Sequence, residues 1–231
     1  MDTVLITGAN RGLGLEFARQ YAADGWQVYA CCRTPNDAHD LQALAQSASV
    51  NVSVHQMDVD DHASVDVVAA ELAGEEIDLL INNSGVSGNR AVGVGNMDFD
   101  SLTETLGTNV SGPLKVTEAF AEHVAASYLK VVVMISSRMG SVADTTSGGS
   151  LIYRTSKAAL NMVMKCLAIE LKSSGTTLVS VHPGWVRTDM GGDGATLSAG
   201  ESVTALRTLF YQLRIGDTGK FYNYDGQELP W

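Results

Sequence analysis

The stretch Thr3-Val4-Leu5-Ile6-Thr7, Gly8-Ala9-Asn10-Arg11-Gly12-Leu13-Gly14, Leu15-Glu16-Phe17-Ala18 decides the fold. An unbroken apolar, β-branched run enters a glycine-rich turn and leaves it as an amphipathic helix pattern. The spacing GxxxGxG assigns each glycine a task. Gly8 permits a tight turn, Gly12 lets backbone N–H groups approach a pyrophosphate, and Gly14 allows the helix to pack closely on the strand. Asn10, Arg11 and Leu13 complete a candidate phosphate-binding turn at the helix N-terminus. A glycine-rich turn alone is a moderate signal, but a strand before it and a helix after it is the context that binding requires.

Outward from this unit, six further β-branched runs recur at Gln27–Cys32, Asn51–Met57, Asp78–Asn82, Lys130–Ser136, Thr177–His182 and Lys220–Tyr224. Helical patterns lie between them at Leu13–Ala23, Ala38–Ser47, Ala63–Leu72, Phe99–Ser127, Ser156–Lys172 and Gly200–Leu213, the third opened by Asp60 and Asp61. The runs containing VLI, LLI and VVVMI are nearly continuous in apolar residues, as strands covered on both faces require. The succession predicts an α/β protein: a single doubly wound Rossmann domain over residues 1–231, with a seven-stranded parallel sheet and helices on both faces. Ligands of such sheets bind beyond the carboxyl ends of the strands.

Composition narrows the class. Of 231 residues 45% are hydrophobic and 18% charged, and the 23 glycines come without a repeat or a proline-rich tract, which excludes collagenous and disordered readings. No apolar run approaches the roughly 20 residues of a membrane helix, and the amino terminus carries no basic leader, so an unexported, cytoplasmic protein is expected. A net charge of −11 repels phosphate backbones and anionic lipid, making nucleic acid and membrane improbable partners. Cys31, Cys32 and Cys166 form no CxxC pair and no His stands at ligand spacing, so no metal site is expected. The five histidines are scattered and are read as structural or solvated.

The second run ends in Cys31-Cys32-Arg33-Thr34, with no acidic residue before Asp37 to take a ribose 2′-hydroxyl. Arg33, with Arg11 in the first turn, suits a 2′-phosphate, so NADP(H) is expected in preference to NAD(H). Asp58 and Val59 follow the third run, where an adenine would rest; a turn carboxylate is the alternative for Asp58. Asn83, Ser84 and Gly85 follow the fourth, where the amide bridges strand ends and the glycine lets the chain pass close to a nucleoside.

Tyr153-Arg154-Thr155-Ser156-Lys157 places a phenol and an ammonium four residues apart on one helix face, and the ammonium is expected to lower the phenol pKa. Ser136-Ser137 at the end of the fifth run offers a hydroxyl to a substrate carbonyl. Asn109, in the long helical pattern and flanked by Gly107 and Gly112, offers a buried amide to hold a water.

Taken in order, TGxxxGxG, NNSG, the mid-helix Asn, ISS, YxxxK and Pro183-Gly184 resemble the short-chain dehydrogenases/reductases along the whole chain. YRTSKAALN, HPGWV, TDMGG and a late YDG are similar to carbonyl reductases of the Sniffer and C-factor kind. The resemblance implies Tyr153 as proton donor, Lys157 binding the nicotinamide ribose, Ser137 orienting the carbonyl and Asn109 supporting a proton-relay water. It adds Pro183, Gly184, Val186 and Thr188 to the cofactor contacts, with Thr188 at the carboxamide. The implied function is NADPH-dependent reduction of a ketone, aldehyde or quinone; a C-factor-like signalling or sensor protein is the alternative. Two departures stand out. Ser84 replaces a customary Ala, and Ser137 precedes Tyr153 by 16 residues, longer than usual, which keeps Ser136 and Ser141 in play and puts extra chain at Asp144–Ser150. The glycines from Gly191 to Gly200 suit a short mobile lid. The apolar helix Ser156–Lys172 (Ala158, Ala159, Leu160, Met162, Val163, Met164, Leu167, Ala168, Ile169) lacks a clear polar face, so a homodimer paired through it and Phe99–Ser127 is expected.

Overall fold

The computed structural model describes residues 1–47 and 51–231. Seven parallel strands, β1 (Thr3–Thr7), β2 (Gln27–Cys32), β3 (Asn51–Gln56), β4 (Leu79–Asn82), β5 (Val131–Ile135), β6 (Thr177–His182) and β7 (Phe221–Asn223), form one sheet in the order β3-β2-β1-β4-β5-β6-β7. Strand order reverses between β1 and β4, and a crevice opens there at the carboxyl ends.

Side-chain alternation along the strands feeds two apolar layers. Val4, Ile6, Val28, Ile81, Val133 and Val181 pack beneath α1 (Gly12–Ala23), α2 (His39–Ala45) and α7 (Ala199–Gln212), against Phe17, Tyr21, Leu41, Leu206 and Phe210. Leu5, Leu80, Val132, Met134 and Leu178 face the other way, beneath α3 (His62–Glu71), α5 (Gly112–Ala126) and α6 (Leu151–Glu170). Because both faces are covered, the central strands are apolar at most positions, and β5 at all of them. This is the doubly wound arrangement expected from the sequence.

Two elements differ from the sequence expectation. The helical pattern Phe99–Ser127 is not one α-helix. It divides into α4 (Phe99–Leu106), a π-helical turn at Gly107–Ser111, and α5. Pro113 has no N–H to give the carbonyl four residues before it, that of Asn109, so regular α-helical bonding cannot run through this point. Gly112 also sits where a Cβ would lie 2.9 Å from Val59, which brings α5 hard against the β3–α3 connection. The helix carrying YxxxK begins at Leu151 rather than Ser156, after Ser150 turns the chain in a left-handed conformation (φ 48°), so Tyr153 lies inside the first turn. Gly200 lies in the first turn of α7, as the helical pattern Gly200–Leu213 expects.

Candidate active site

At the β1–α1 turn, Gly8 and Gly12 have φ of +66° and +56°, and a Cβ on Gly14 would stand 2.2 Å from the Gly8 carbonyl oxygen. The turn is therefore shaped for glycine, as GxxxGxG predicts. Asn83 fastens it: its Nδ2 donates to the carbonyls of Thr7 (2.9 Å) and Gly8 (3.2 Å), while the main-chain N–H groups of Asn83 and Ser84 both donate to Thr7 Oγ1 at 3.0 Å. The Asn83 amide thus bridges strand ends. A Cβ on Gly85 would lie 3.3 Å from Asn109 Oδ1 and 3.6 Å from Lys157 Nζ.

These loops wall a cleft of about 680 Å³ that runs over the sheet edge past Arg11, Arg33, Asp58 and Ser84 to Tyr153, Lys157 and Thr188; Gly8, Asn10, Gly12, Leu13, Val59, Asn83, Gly85 and Pro183 also border it. Gly14 acts from behind the turn, and Gly184 and Val186 border the adjoining cleft. Arg33 is exposed and, among the described residues, has no ion-pair or hydrogen-bond partner. Arg11 differs from the expectation: it pairs with Asp189, tying the first turn to the loop after β6. Asp58 Oδ1 accepts from the Asp60 N–H (3.1 Å), so it serves a turn as well as bordering the cleft.

The cleft's size, its two left-handed glycines and the free Arg33 fit a phosphorylated dinucleotide. Gly8, Gly12 and Leu13 would face its pyrophosphate, Arg33 a 2′-phosphate, and Lys157 and Thr188 the far nucleoside.

Four polar side chains gather where this cleft meets a second one of about 510 Å³. Ser137 and Tyr153 both border the second cleft, with the Ser137 hydroxyl close enough to the phenol to favour its ionised form. Lys157 Nζ is buried, donates to the Ile135 carbonyl at 2.9 Å, and lies 5.8 Å from the centre of the Tyr153 ring. Asn109 Oδ1 accepts from the Val86 N–H (2.8 Å), and its Nδ2 donates to the Val86 carbonyl (2.8 Å) and to Ser156 Oγ (2.9 Å). Both amide hydrogens are spent on pinning the chain after β4 to α6. The amide hydrogens are thus taken, which leaves none to offer the water expected from the sequence.

The three serines differ in their partners. Ser136 Oγ donates to Asn161 Oδ1 at 2.7 Å and is buried, and Ser141 Oγ donates to the Trp231 carbonyl at 3.1 Å. Only Ser137 reaches Tyr153 while bordering the second cleft. The chain just before Asp144–Ser150 is held by Trp231, whose carbonyl also accepts from the Ala143 N–H.

Electrostatics depart from the expected lowering of the phenol. Burial holds Tyr153 above its ordinary pKa, with the Ser137 hydroxyl and the Arg90 guanidinium pulling the other way. Burial lowers Lys157 to about 8, so it keeps its charge at neutral pH. His182 borders the second cleft and is lowered to about 4, chiefly by burial and further by Arg138, so its imidazole is neutral.

The loop after β6 closes over both clefts. The Leu197 N–H donates to the Trp185 carbonyl and the Arg187 N–H to the Leu197 carbonyl, Trp185 Nε1 donates to the Gly191 carbonyl at 2.9 Å, and Thr188 packs on Gly12. It is a hydrogen-bonded flap. The sequence does not single out the arginines that border the second cleft, Arg90, Arg138 and Arg154, because no motif links them.

The order of strands, the glycine turn and the Ser–Tyr–Lys–Asn cluster define a nucleotide-dependent oxidoreductase of the doubly wound class. The chain belongs to the short chain dehydrogenase family, whose pattern matches residues 2–196. The carbonyl reductase Sniffer of Drosophila melanogaster superimposes with a TM-score of 0.93 at 31% identity, over all of both chains. The NADPH-bound carbonyl reductase from chicken fatty liver gives 0.92 at 34% identity, covering 100% of this chain and 99% of its own. The C-signal protein of Myxococcus xanthus is 43% identical over 155 residues, 67% of this chain and 93% of that protein.

Proposed function

We propose that the protein is an NADPH-dependent carbonyl reductase acting on a ketone, aldehyde or quinone. The observation that carries this reading is the Ser137–Tyr153–Lys157 cluster at the junction of a dinucleotide-sized cleft and a second, open one. When bound, the reduced nicotinamide supplies the hydride to the carbonyl carbon. The Ser137 hydroxyl orients the carbonyl oxygen, and Tyr153 gives its phenolic proton to that oxygen as negative charge develops on it. A phenol held above its ordinary pKa is fully protonated at neutral pH and ready to donate, which favours the reductive direction. Lys157, charged and anchored on Ile135, stabilises the phenolate left behind, and Asn109 holds the chain after β4 against α6 so that these groups stay in place.

Arg33, without an ion-pair partner among the described residues, supports NADP(H) over NAD(H). A reduced, cytoplasmic setting agrees with three free cysteines, two of them buried. The 43% identity with C-signal supports a second reading, a signalling or sensor protein that keeps the cofactor site with little turnover.

Steady-state NADPH oxidation over a panel of aldehydes, ketones and quinones decides between them. Tyr153→Phe is expected to lose about 10²–10⁴-fold in kcat while binding NADPH as before. Comparable turnover by the variant would remove Tyr153 as the donor, and no turnover by the unaltered protein on any carbonyl would favour the sensor.

A further inference from the structure

The second cleft is positively charged in a strongly acidic protein. The chain carries 26 acidic side chains and a net charge of −11, yet Asp144 is the only acid among the described residues that border this cleft, against three arginines. Asp144 is spent on Arg138, whose Nε lies 3.3 Å from its Oδ2. Arg90 and Arg154 have no carboxylate partner among the described residues. Each is anchored by neutral groups: Arg90 Nη2 donates to the Met190 carbonyl at 2.9 Å, and Arg154 donates from Nε to the Gly149 carbonyl at 3.1 Å and from Nη1 to Thr145 Oγ1 at 3.5 Å. Such anchors aim a guanidinium without neutralising it and leave most of its five N–H donors unspent.

Their position is specific. Arg154 is the neighbour of Tyr153 on α6, and Arg90 lies close enough for its charge to act on the Tyr153 phenol. Two unneutralised guanidinium groups therefore border the same cleft as the proton donor, from different segments. No part of a neutral ketone or aldehyde calls for them. They match a planar carboxylate or a phosphate, which accepts forked hydrogen bonds from arginine. Trp185 and Met190 give the cleft apolar surface for the carbon chain between the two ends.

We propose that the substrate is an anionic carbonyl compound, an aldehyde or ketone bearing a carboxylate or phosphate, whose charged end is bound by Arg90 and Arg154 while its carbonyl meets Ser137 and Tyr153. The proposal rests on the carbonyl reductase reading of the same cleft and names the substrate class for it.

The test is kcat/KM with NADPH for ω-oxo carboxylic acids of four to eight carbons, their methyl esters, and ω-oxo alkyl phosphates. At one or more chain lengths an anion is expected to exceed the ester by about 10- to 100-fold, the worth of a charged hydrogen bond. The double substitution Arg90→Gln, Arg154→Gln is expected to bring that ratio close to one. Carboxylate or phosphate is identified by which of the two leads. Esters turning over as well as anions at every length would overturn the proposal and leave the reductase reading standing, as would an anion preference that survives the double substitution. If no aldehyde turns over, the reductase reading fails by itself. The anion site is then read by calorimetric titration of the NADP-loaded protein with ω-hydroxy acids and their methyl esters. Tighter binding of the acids, lost in the double variant, supports the site, and equal binding overturns it.

Discussion

Lys157 shows how a single residue trades stability for function. The folded protein releases its proton near pH 8, the free side chain near 10.5, so the unfolded chain binds more protons between these values. Stability therefore rises with pH across that window, and the cost of burying the charge is fully present below about pH 8. Lys157→Met, which keeps the bulk and loses the charge, is expected to be inactive yet more stable at pH 7 by about 1–3 kcal/mol, less what the Ile135 carbonyl forfeits. Thermal melts from pH 7 to 10.5 check this, and the gap between the two proteins should narrow as pH rises. Arg33 makes a contrasting case, because it has little to lose in the fold. Arg33→Ala should weaken NADPH binding by roughly 10- to 100-fold and hardly affect NADH. Fluorescence titration with both cofactors measures it, and an equal loss for the two would refute a 2′-phosphate contact.

At the scale of elements, the β1–α1 turn is the most tightly determined part of the molecule. A methyl group on Gly14 would collide with the Gly8 carbonyl at 2.2 Å and with Asn83 Nδ2 at 2.6 Å, both themselves hydrogen-bonded to each other. Neither neighbour can move without opening the turn. Gly14→Ala is expected to destabilise the protein by about 1–3 kcal/mol and to abolish tight NADPH binding, read by urea denaturation and by cofactor titration. Retained affinity would mean that the turn is not the phosphate cradle. The π-helical turn between α4 and α5 has the same character. It puts Asn109 where it can bond Val86 and Ser156 together, joining the chain after β4 to the helix that carries Tyr153.

At the scale of the whole molecule, much of the apolar surface of α6 is covered within the chain. Leu160, Met164 and Ala168 pack with Val116 and Phe120 of α5, whereas Met162 and Ile169 stay 64% and 68% exposed. These two, with the partly exposed Leu151 and Leu114, are what supports pairing of α5 and α6 with a second copy. Light scattering coupled to size exclusion is expected to give twice 24.4 kDa, reverting to one chain in Met162→Glu, Ile169→Glu. A single-chain mass for the unaltered protein would reject the dimer.

The sequence by itself determined the succession of strands and helices along the chain. Its β-branched runs placed all seven strands within a residue or two; the central ones are marked by near-continuous apolar residues because they are buried on both faces, and the edge strand β3 by alternation. It also determined the glycine turn and the Tyr153–Lys157 pair, since a left-handed φ and a shared helix face are local properties. Other features were decided only in three dimensions. Ser137 was separated from Ser136 and Ser141 by partners as far away as Trp231; Arg11 was drawn to Asp189, 178 residues on. Burial, a property of the whole packing, raised the Tyr153 phenol where its neighbour Lys157 alone suggested the reverse. The arginine-lined cleft is assembled from segments around residues 90, 138 and 154, so no window of sequence contains it.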